Sequence, residues 1–441
     1  MPAKSERRQP TALTLRTYRV GFGDCFLLTF HYPDEARHVL IDCGTVAFPR
    51  SHTAKGRPPM LRVVEDIRDQ CGGKLHAVIV THRHRDHLSG FKPRKDGRGP
   101  GDILKACDPD VVLQPWTEDP ALAAGAAAPG SPRTPGSHQT ARAFTRALSD
   151  MHRVAAAALA ETKRMRADVQ KNIRQQLEFL GEDNLRNDAA VRNLMTMGRR
   201  HVYAHAGSDA GLARVLPGVT VHVLGPPTLE QAGDLHRARA VDQAEFWHLQ
   251  ALSSAPSTRR PRALFKGALD LRTHAAPPQV RWFIPRVRNL RGESLLDLVR
   301  VLDGAMNNTS LVLLFEVGGK KLLFPGDAQI ESWEYALRRA ENREEVKRLL
   351  ADVHVYKVGH HGSLNATPKS LWRLFRHRSP ARGAGRLISL LSTLPGKHGR
   401  KERGTEVPRE ALLKELERHS ELVSTHALRG RTLRHHLIIP L

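Results

Sequence analysis

The 441-residue sequence predicts an α/β fold, on three observations. Short apolar, strand-like runs bounded by Gly and Pro recur along both ends of the chain. Stretches with helical spacing follow several of them. The best of the strand signals runs directly into a His- and Asp-rich loop. Apolar residues make up 40% of the sequence, enough for a buried core and too many for wholesale disorder.

The elements follow in order. TLRTYRV, CFLLTF and HVLIDCG read as strands punctuated by Gly21, Gly23 and Pro33. Residues 59–71 read as a helix, with Leu61, Val64 and Ile67 on one face. KLHAVIVT is a buried strand entering THRHRDHLSG. Residues 117–140 are dense in Pro, Gly and Ala and read as a linker. Residues 141–180 hold neither Gly nor Pro, and Met165, Val169, Ile173, Leu177 and Leu180 form one helical stripe. That stripe packs on the main body or serves a homo-oligomer. GVTVHVLGPP is strand-like, and 251–281 is irregular. SLVLLFEV, KKLLFPG and DVHVYKVG are strands, with helices expected over 328–340 and from Thr367-Pro368. RLISLLST, a helix over 409–419 and the strand TLRHHLII close the chain. The expected organisation is two halves of one fold, 11–116 and 301–441. Between them lies a 117–300 insertion, helical around 140–200 and irregular around 230–300.

Cys25, Cys43, Cys71 and Cys107 form no CxxC and no tight cluster, which argues against a disulfide framework or a thiolate zinc site. No apolar run approaches the ~18 residues of a membrane span. The first residues carry charge without an apolar segment behind them, so no secretory signal is read. The expectation is a cytoplasmic protein without a membrane partner. The formal charge of +24 points to polyanions. Nine Lys or Arg against one Glu fall in 371–404, among them Lys397, Arg400, Lys401 and Arg403. Much of this window is expected to rim the site, as is a second basic loop with Lys92 and Arg94. Positive loops of this kind suit a phosphodiester backbone. The aromatic content of 5% gives less support to base stacking.

The chemistry concentrates in Thr81-His82-Arg83-His84-Arg85-Asp86-His87. In extended chain His82, His84 and Asp86 point to one side. Three imidazoles and a carboxylate suit a borderline cation such as zinc.

HxHxDH after a strand resembles the metal motif of the metallo-β-lactamase fold superfamily. Gly21-Phe22-Gly23-Asp24, Leu40-Ile41-Asp42-Cys43-Gly44, Asn307-Asn308-Thr309-Ser310-Leu311, Phe324-Pro325-Gly326-Asp327 and Lys357-Val358-Gly359-His360-His361-Gly362-Ser363 resemble, in order, motifs of its ComEC-like hydrolase branch. The resemblance covers roughly 11–115 and 300–441. It implies an αββα sandwich with a helical insertion and a centre of two divalent ions, zinc first and manganese as the alternative. By that resemblance His82 and His84 hold one ion and Asp86, His87 and His360 the other, with Asp327 bridging. Asp24 and Asp42 orient ligands from behind. His361 acts as a transition-state donor or a structural neighbour, the two histidines being exchangeable as ligand. Asn308 stands where many superfamily members have a further His. Asp86, His361 and Asn308 are therefore the candidate catalytic residues. The chain also departs from the branch near its last loop, where Pro395-Gly396-Lys397-His398-Gly399 replaces a Y-G-H-P-type segment. The implied function is metal-dependent hydrolysis of a phosphodiester, with a nucleic acid as partner. The alternatives are hydrolysis of a small ester, lactone or amide, and a non-catalytic nucleic-acid-binding or scaffold module.

Overall fold

The computed structural model describes residues 8–49, 51, 58–121, 187–228, 230–232, 306–364, 367–399, 401 and 406–441. The chain divides into two units. The first comprises Met1–Thr145, Arg186–Ala232 and Ala305–Leu441. The second, Arg146–Leu185 with Gly233–Gly304, lies outside the described residues. The helical stripe from Met165 to Leu180 and the irregular 251–281 segment fall there.

The first unit is a mixed α/β structure with two mixed sheets. Its strands are β1 Ala12–Tyr18, β2 Cys25–His31, β3 Ala36–Cys43, β4 Ala77–Ile79, β5 Val111–Pro115, β6 Arg200–Ala204, β7 Thr220–Gly225, β8 Val312–Val317, β9 Lys320–Phe324, β10 Val355–Lys357, β11 Ile388–Leu391, β12 Glu421–Ser424 and β13 Arg434–Pro440. One sheet has the order β13-β1-β2-β3-β4-β5-β6, the other β12-β11-β10-β9-β8-β7. Strands β3 to β6 run parallel, as do β9 to β12; the remaining pairs are antiparallel.

Among the described residues, alternation along the strands builds three cores. Phe26, Leu28 and Phe30 of β2 meet Leu313 and Phe315 of β8 in a core shared by both sheets. Phe26 packs edge-on against Phe324 at 5.6 Å between ring centroids. Leu27 and Leu40 face the other way, onto α1 (Pro59–Gln70), α3 (Pro100–Ala106) and α4 (Asp188–Met195). Between α1 and α3 lies the single-turn α2 (Arg85–Leu88). Leu314, Leu323 and Tyr356 likewise face α5 (Ile330–Glu334), α6 (Arg343–Ala351), α7 (Lys369–Leu374) and α8 (Glu410–His419). Helices thus cover the outer faces of two sheets that share an inner core. Among the described residues no helix is long and apolar enough to cross a membrane.

Several elements differ from the sequence reading. The strands β6 and β7 and the helix α4 lie inside the expected 117–300 insertion, yet they belong to the first unit. Strand β6 is half-exposed at a sheet edge, so its sequence carries little apolar signal. The helix expected over 328–340 is α5 followed by a wider turn, Tyr335–Arg339. In α7, Pro368 holds the cap position and Lys369 opens the helix, whereas the sequence placed the cap at Thr367.

Candidate metal centre

The loops that leave the parallel strands carry the chemistry. Asp42 ends β3, the His-rich loop follows β4, Asp327 follows β9, His361 follows β10 and Ser392 follows β11. Carboxyl ends of parallel strands converge in this way because every strand in the run points the same direction.

The backbone bends at Arg83, is extended at His84 and then turns into α2. Asp86 and His87 reach the site from that single helical turn. The extended parity expected for His82, His84 and Asp86 is therefore not kept. His82, His84, Asp86, His87, Asp327 and His361 are all buried, each no more than 2% exposed. Their ligand atoms form two groups that could hold a metal ion, Asp86–His87–Asp327–His361 and His82–His84–Asp86. Asp86 is common to both, whereas the resemblance gave the shared position to Asp327.

The partners of His87 and His361 hold one ring nitrogen from behind and leave the other facing inward. His87 Nδ1 donates to Asp42 Oδ2 at 2.8 Å, so its Nε2 is the inward nitrogen. His361 Nδ1 donates to the Ser392 carbonyl at 3.0 Å, and its Nε2 faces Asp86 Oδ2 at 2.8 Å. His82 Nδ1 lies 3.2 Å from the Thr81 hydroxyl, and its Nε2 faces His84 Nδ1 at 3.0 Å. Asp42 is itself fixed, accepting the Thr81 N–H and hydroxyl at 2.7 Å each. An oriented imidazole with its outer N–H held is the arrangement a metal-binding histidine needs. Asp86 Oδ1 and His87 Nε2 are buried without a hydrogen-bond partner, although carboxylate oxygens of Asp86 and Asp327 approach His87 Nε2 to 3.7 and 3.1 Å. Buried polar atoms left in this state are costly unless something else satisfies them. The donor set of imidazole nitrogens and carboxylate oxygens could hold a metal ion.

Burial alone would lower the His87 and His361 pKa values, but the surrounding carboxylates, Asp327 first, raise both above the ordinary histidine value. Burial alone would raise the Asp86 and Asp327 carboxyl pKa values, but His87 and the surrounding cations hold both below the ordinary range. Burial, with His87 and His84 beside it, pushes His82 down, so its ring is neutral. Burial pushes the Lys357 ammonium down as well, but Asp24 and Asp327 more than reverse this and leave it above the ordinary lysine value.

The local backbone is shaped for the site. Asp42, His360 and His361 have φ of 52°, 40° and 53°, a region non-glycine residues seldom occupy. Gly44 lies so close to the His-rich loop that a Cβ there would sit 2.4 Å from the Asp86 carbonyl and 2.5 Å from the His87 nitrogen.

The structure distinguishes the two adjacent histidines. His361 is the one that converges with Asp86, His87 and Asp327. His360 is half-buried, its Nδ1 2.9 Å from Ser363 Oγ and 3.5 Å from Gln329 Nε2. Two successive left-handed residues turn the second imidazole inward and the first outward. Phe22 packs on the inward ring at 4.4 Å and lies 6.5 Å from the His398 ring. Asn308 is outside both groups. Its Oδ1 accepts the Gln329 N–H and the Ser332 hydroxyl, and its Nδ2 donates to Glu331 at 2.9 Å. It tethers the start of α5. Asp24 neighbours the centre, its carboxylate against the Lys357 ammonium.

The basic residues divide. Arg373 lies in the last turn of α7, and Arg376, Arg378, Arg382 and Arg386 fall between the end of α7 and the start of β11, at the end of the sheet opposite the site. A loop entering a strand sits at its beginning, whereas the metal groups sit at strand ends. Arg386 donates to the Glu417 and Arg418 carbonyls that close α8. Arg378 donates to the Phe375 and Arg373 carbonyls and lies 5.4 Å over the Trp372 ring. Lys92 and Arg94 are exposed just after the His-rich loop, Arg94 pairing with Asp96 at 2.8 Å. Lys397, after β11, is exposed, and Lys401 pairs with Glu410 at 2.6 Å. Arg400 and Arg403 lie outside the described residues.

Lys357, Arg83 and Glu118 were not legible as site residues. Lys357 carried a motif position without a role; its signal was a lysine at the end of an otherwise apolar strand. Arg83 and Glu118 form a two-pronged pair at 2.7 Å per contact that braces the His-rich loop. No protein-family model matches the chain, and neither does any curated protein.

Proposed function

We propose that this chain is a metal-dependent hydrolase of the metallo-β-lactamase type, similar to the ComEC-like branch, acting on a phosphodiester. The observation that carries the reading is the meeting of two buried His/Asp groups on one carboxylate, Asp86. Divalent ions held by His82, His84, Asp86, His87, Asp327 and His361 would supply Lewis acidity and an acidified water. Zinc is the first candidate and manganese the second.

The chain's own residues supply the rest. Asp42 and the Ser392 carbonyl hold the outer N–H groups of His87 and His361, so both rings offer Nε2 inward. Thr81 keeps Asp42 in register from the end of β4. The exposed Lys92 and Arg94 offer phosphate contacts beside the His-rich loop, and Lys397 offers another after β11. These are fewer cations than the whole basic window promised.

A second reading is favoured by one observation. Leu364 and Ile330 are 68% and 50% exposed, and each stands three residues after a metal-group residue, His361 and Asp327. Apolar side chains so close in sequence to the ligands suit an ester with an apolar acyl group.

The test is turnover by the purified chain, with Zn²⁺ or Mn²⁺, of bis(p-nitrophenyl) phosphate, single- and double-stranded DNA, RNA and p-nitrophenyl butyrate. Phosphodiester cleavage that disappears in Asp86→Asn supports the first reading. Ester cleavage alone replaces it with the second. No metal-dependent turnover of any substrate overturns both.

A further inference from the structure

The site contains a buried cation that the proposed reaction has not used. Lys357 is 2% exposed and is the last residue of β10, ahead of the turn that carries His361. Its ammonium has three N–H groups and meets three acceptors. These are the Asp24 carboxylate, the Gly326 carbonyl at 2.9 Å and Asp327 Oδ1 at 3.3 Å.

The consequence for Asp327 is an asymmetry between its two oxygens. Oδ1 accepts from Lys357 and from the His360 N–H at 3.1 Å. Oδ2 is 3.1 Å from His87 Nε2 and 3.6 Å from His361 Nε2. One oxygen is anchored and the other faces the candidate ligands. Asp24 is affected differently. Together with Asp42 and His87 it forms a third buried group with metal-ligand spacing. An ammonium against its carboxylate repels any second cation from that group.

We propose that Lys357 is a positioning residue of the metal centre, a fixed internal cation that presents Asp327 through Oδ2 and keeps ions away from Asp24. The proposal rests on the reading that the centre holds divalent ions. It explains why a lysine is buried among carboxylates that would otherwise offer more ligand atoms than the two groups need. Lys357 touches Asp327 and the chain behind it, so its effect reaches the ion through that carboxylate.

The experiment uses the full chain stripped of metal, then titrated with Zn²⁺ against a chromophoric chelator, and with Co²⁺ for its visible spectrum. Lys357→Met alone leaves the Asp24 charge buried and unpaired, which compromises folding. Lys357→Met combined with Asp24→Asn removes both charges and is the informative variant. The expected result is a metal-free melting temperature close to that of the unaltered chain. Zn²⁺ affinity should be weaker by about tenfold or more, as when a group supporting a metal ligand is lost, and the Co²⁺ bands should shift. Unchanged Zn²⁺ affinity and Co²⁺ spectrum in the double variant would overturn the proposal and reduce Lys357 to a counter-ion for Asp24. If the double variant does not fold, Lys357→Arg takes its place, since a planar guanidinium cannot repeat the three contacts. Weakened Zn²⁺ binding then supports the proposal and unchanged binding overturns it. An unaltered chain that binds no Zn²⁺ removes the metal reading itself, an outcome distinct from the others.

Discussion

Asp86 and His361 are 275 positions apart in the sequence, and their side chains meet at 2.8 Å between Oδ2 and Nε2. The contact joins the loop after β4 in one sheet to the loop after β10 in the other. A candidate metal group therefore exists only when both sheets are assembled, and ion binding at it should stabilise the folded state.

This contact separates the two adjacent histidines. His361→Ala should lose Zn²⁺ from the Asp86–His87–Asp327 group, whereas His360→Ala should retain it. Elemental analysis of the two purified variants after reconstitution makes the comparison. Equal retention in both would remove His361 from the ligand set.

The His-rich loop depends on the absence of a side chain at Gly44. Gly44→Ala forces a methyl group into the backbone of Asp86 and His87. Destabilisation of at least about 1–3 kcal/mol, the usual range for overpacking, should appear in urea unfolding together with weakened metal binding. A variant as stable as the unaltered chain would mean that the loop gives way freely.

Much of this was legible beforehand, for identifiable reasons. The strands β1, β2, β3, β8 and β9 announce themselves because their residues are apolar and bounded by turns. The HxHxDH loop is visible because its ligands are neighbours in sequence. The choice between His360 and His361 was not visible, because it rests on two left-handed backbone residues that no side-chain pattern encodes. The destination of the arginines between α7 and β11 was hidden for a different reason: charge shows in the sequence, but the end of the sheet a loop occupies depends on strand direction. The Arg83–Glu118 brace joins two loops that only the pairing of β4 with β5 brings together.

That division of the basic residues is measurable. Charge reversal at Lys92 and Arg94 should weaken binding of a DNA oligonucleotide and flatten its dependence on salt, because fewer counterions are released. Replacing Arg386 by Ala should leave that salt dependence unchanged and lower thermal stability, since it frees the carbonyls closing α8. The reverse pattern would place the polyanion surface at the other end of the sheet.

Away from the centre, His38 links stability to pH. Burial, with His76 and Arg16 nearby, lowers its pKa to about 4. Its pKa is lower folded than unfolded, so the unfolded chain binds the proton more readily. The His38 contribution is therefore intact above about pH 6.5, the ordinary histidine value. It is lost progressively as pH falls towards about 4. Urea unfolding of His38→Gln should show a shallower fall in stability across that window than the unaltered chain. Parallel curves would deny His38 the role.

The central claim is that the two groups sharing Asp86 hold divalent ions. Crystals of the zinc-loaded chain, measured on both sides of the zinc absorption edge, test it most directly. The predicted result is strong anomalous density among Asp86, His87, Asp327 and His361, lost in crystals of Asp86→Asn. Zinc density absent from both groups in fully loaded crystals, or present only elsewhere on the chain, would contradict the claim.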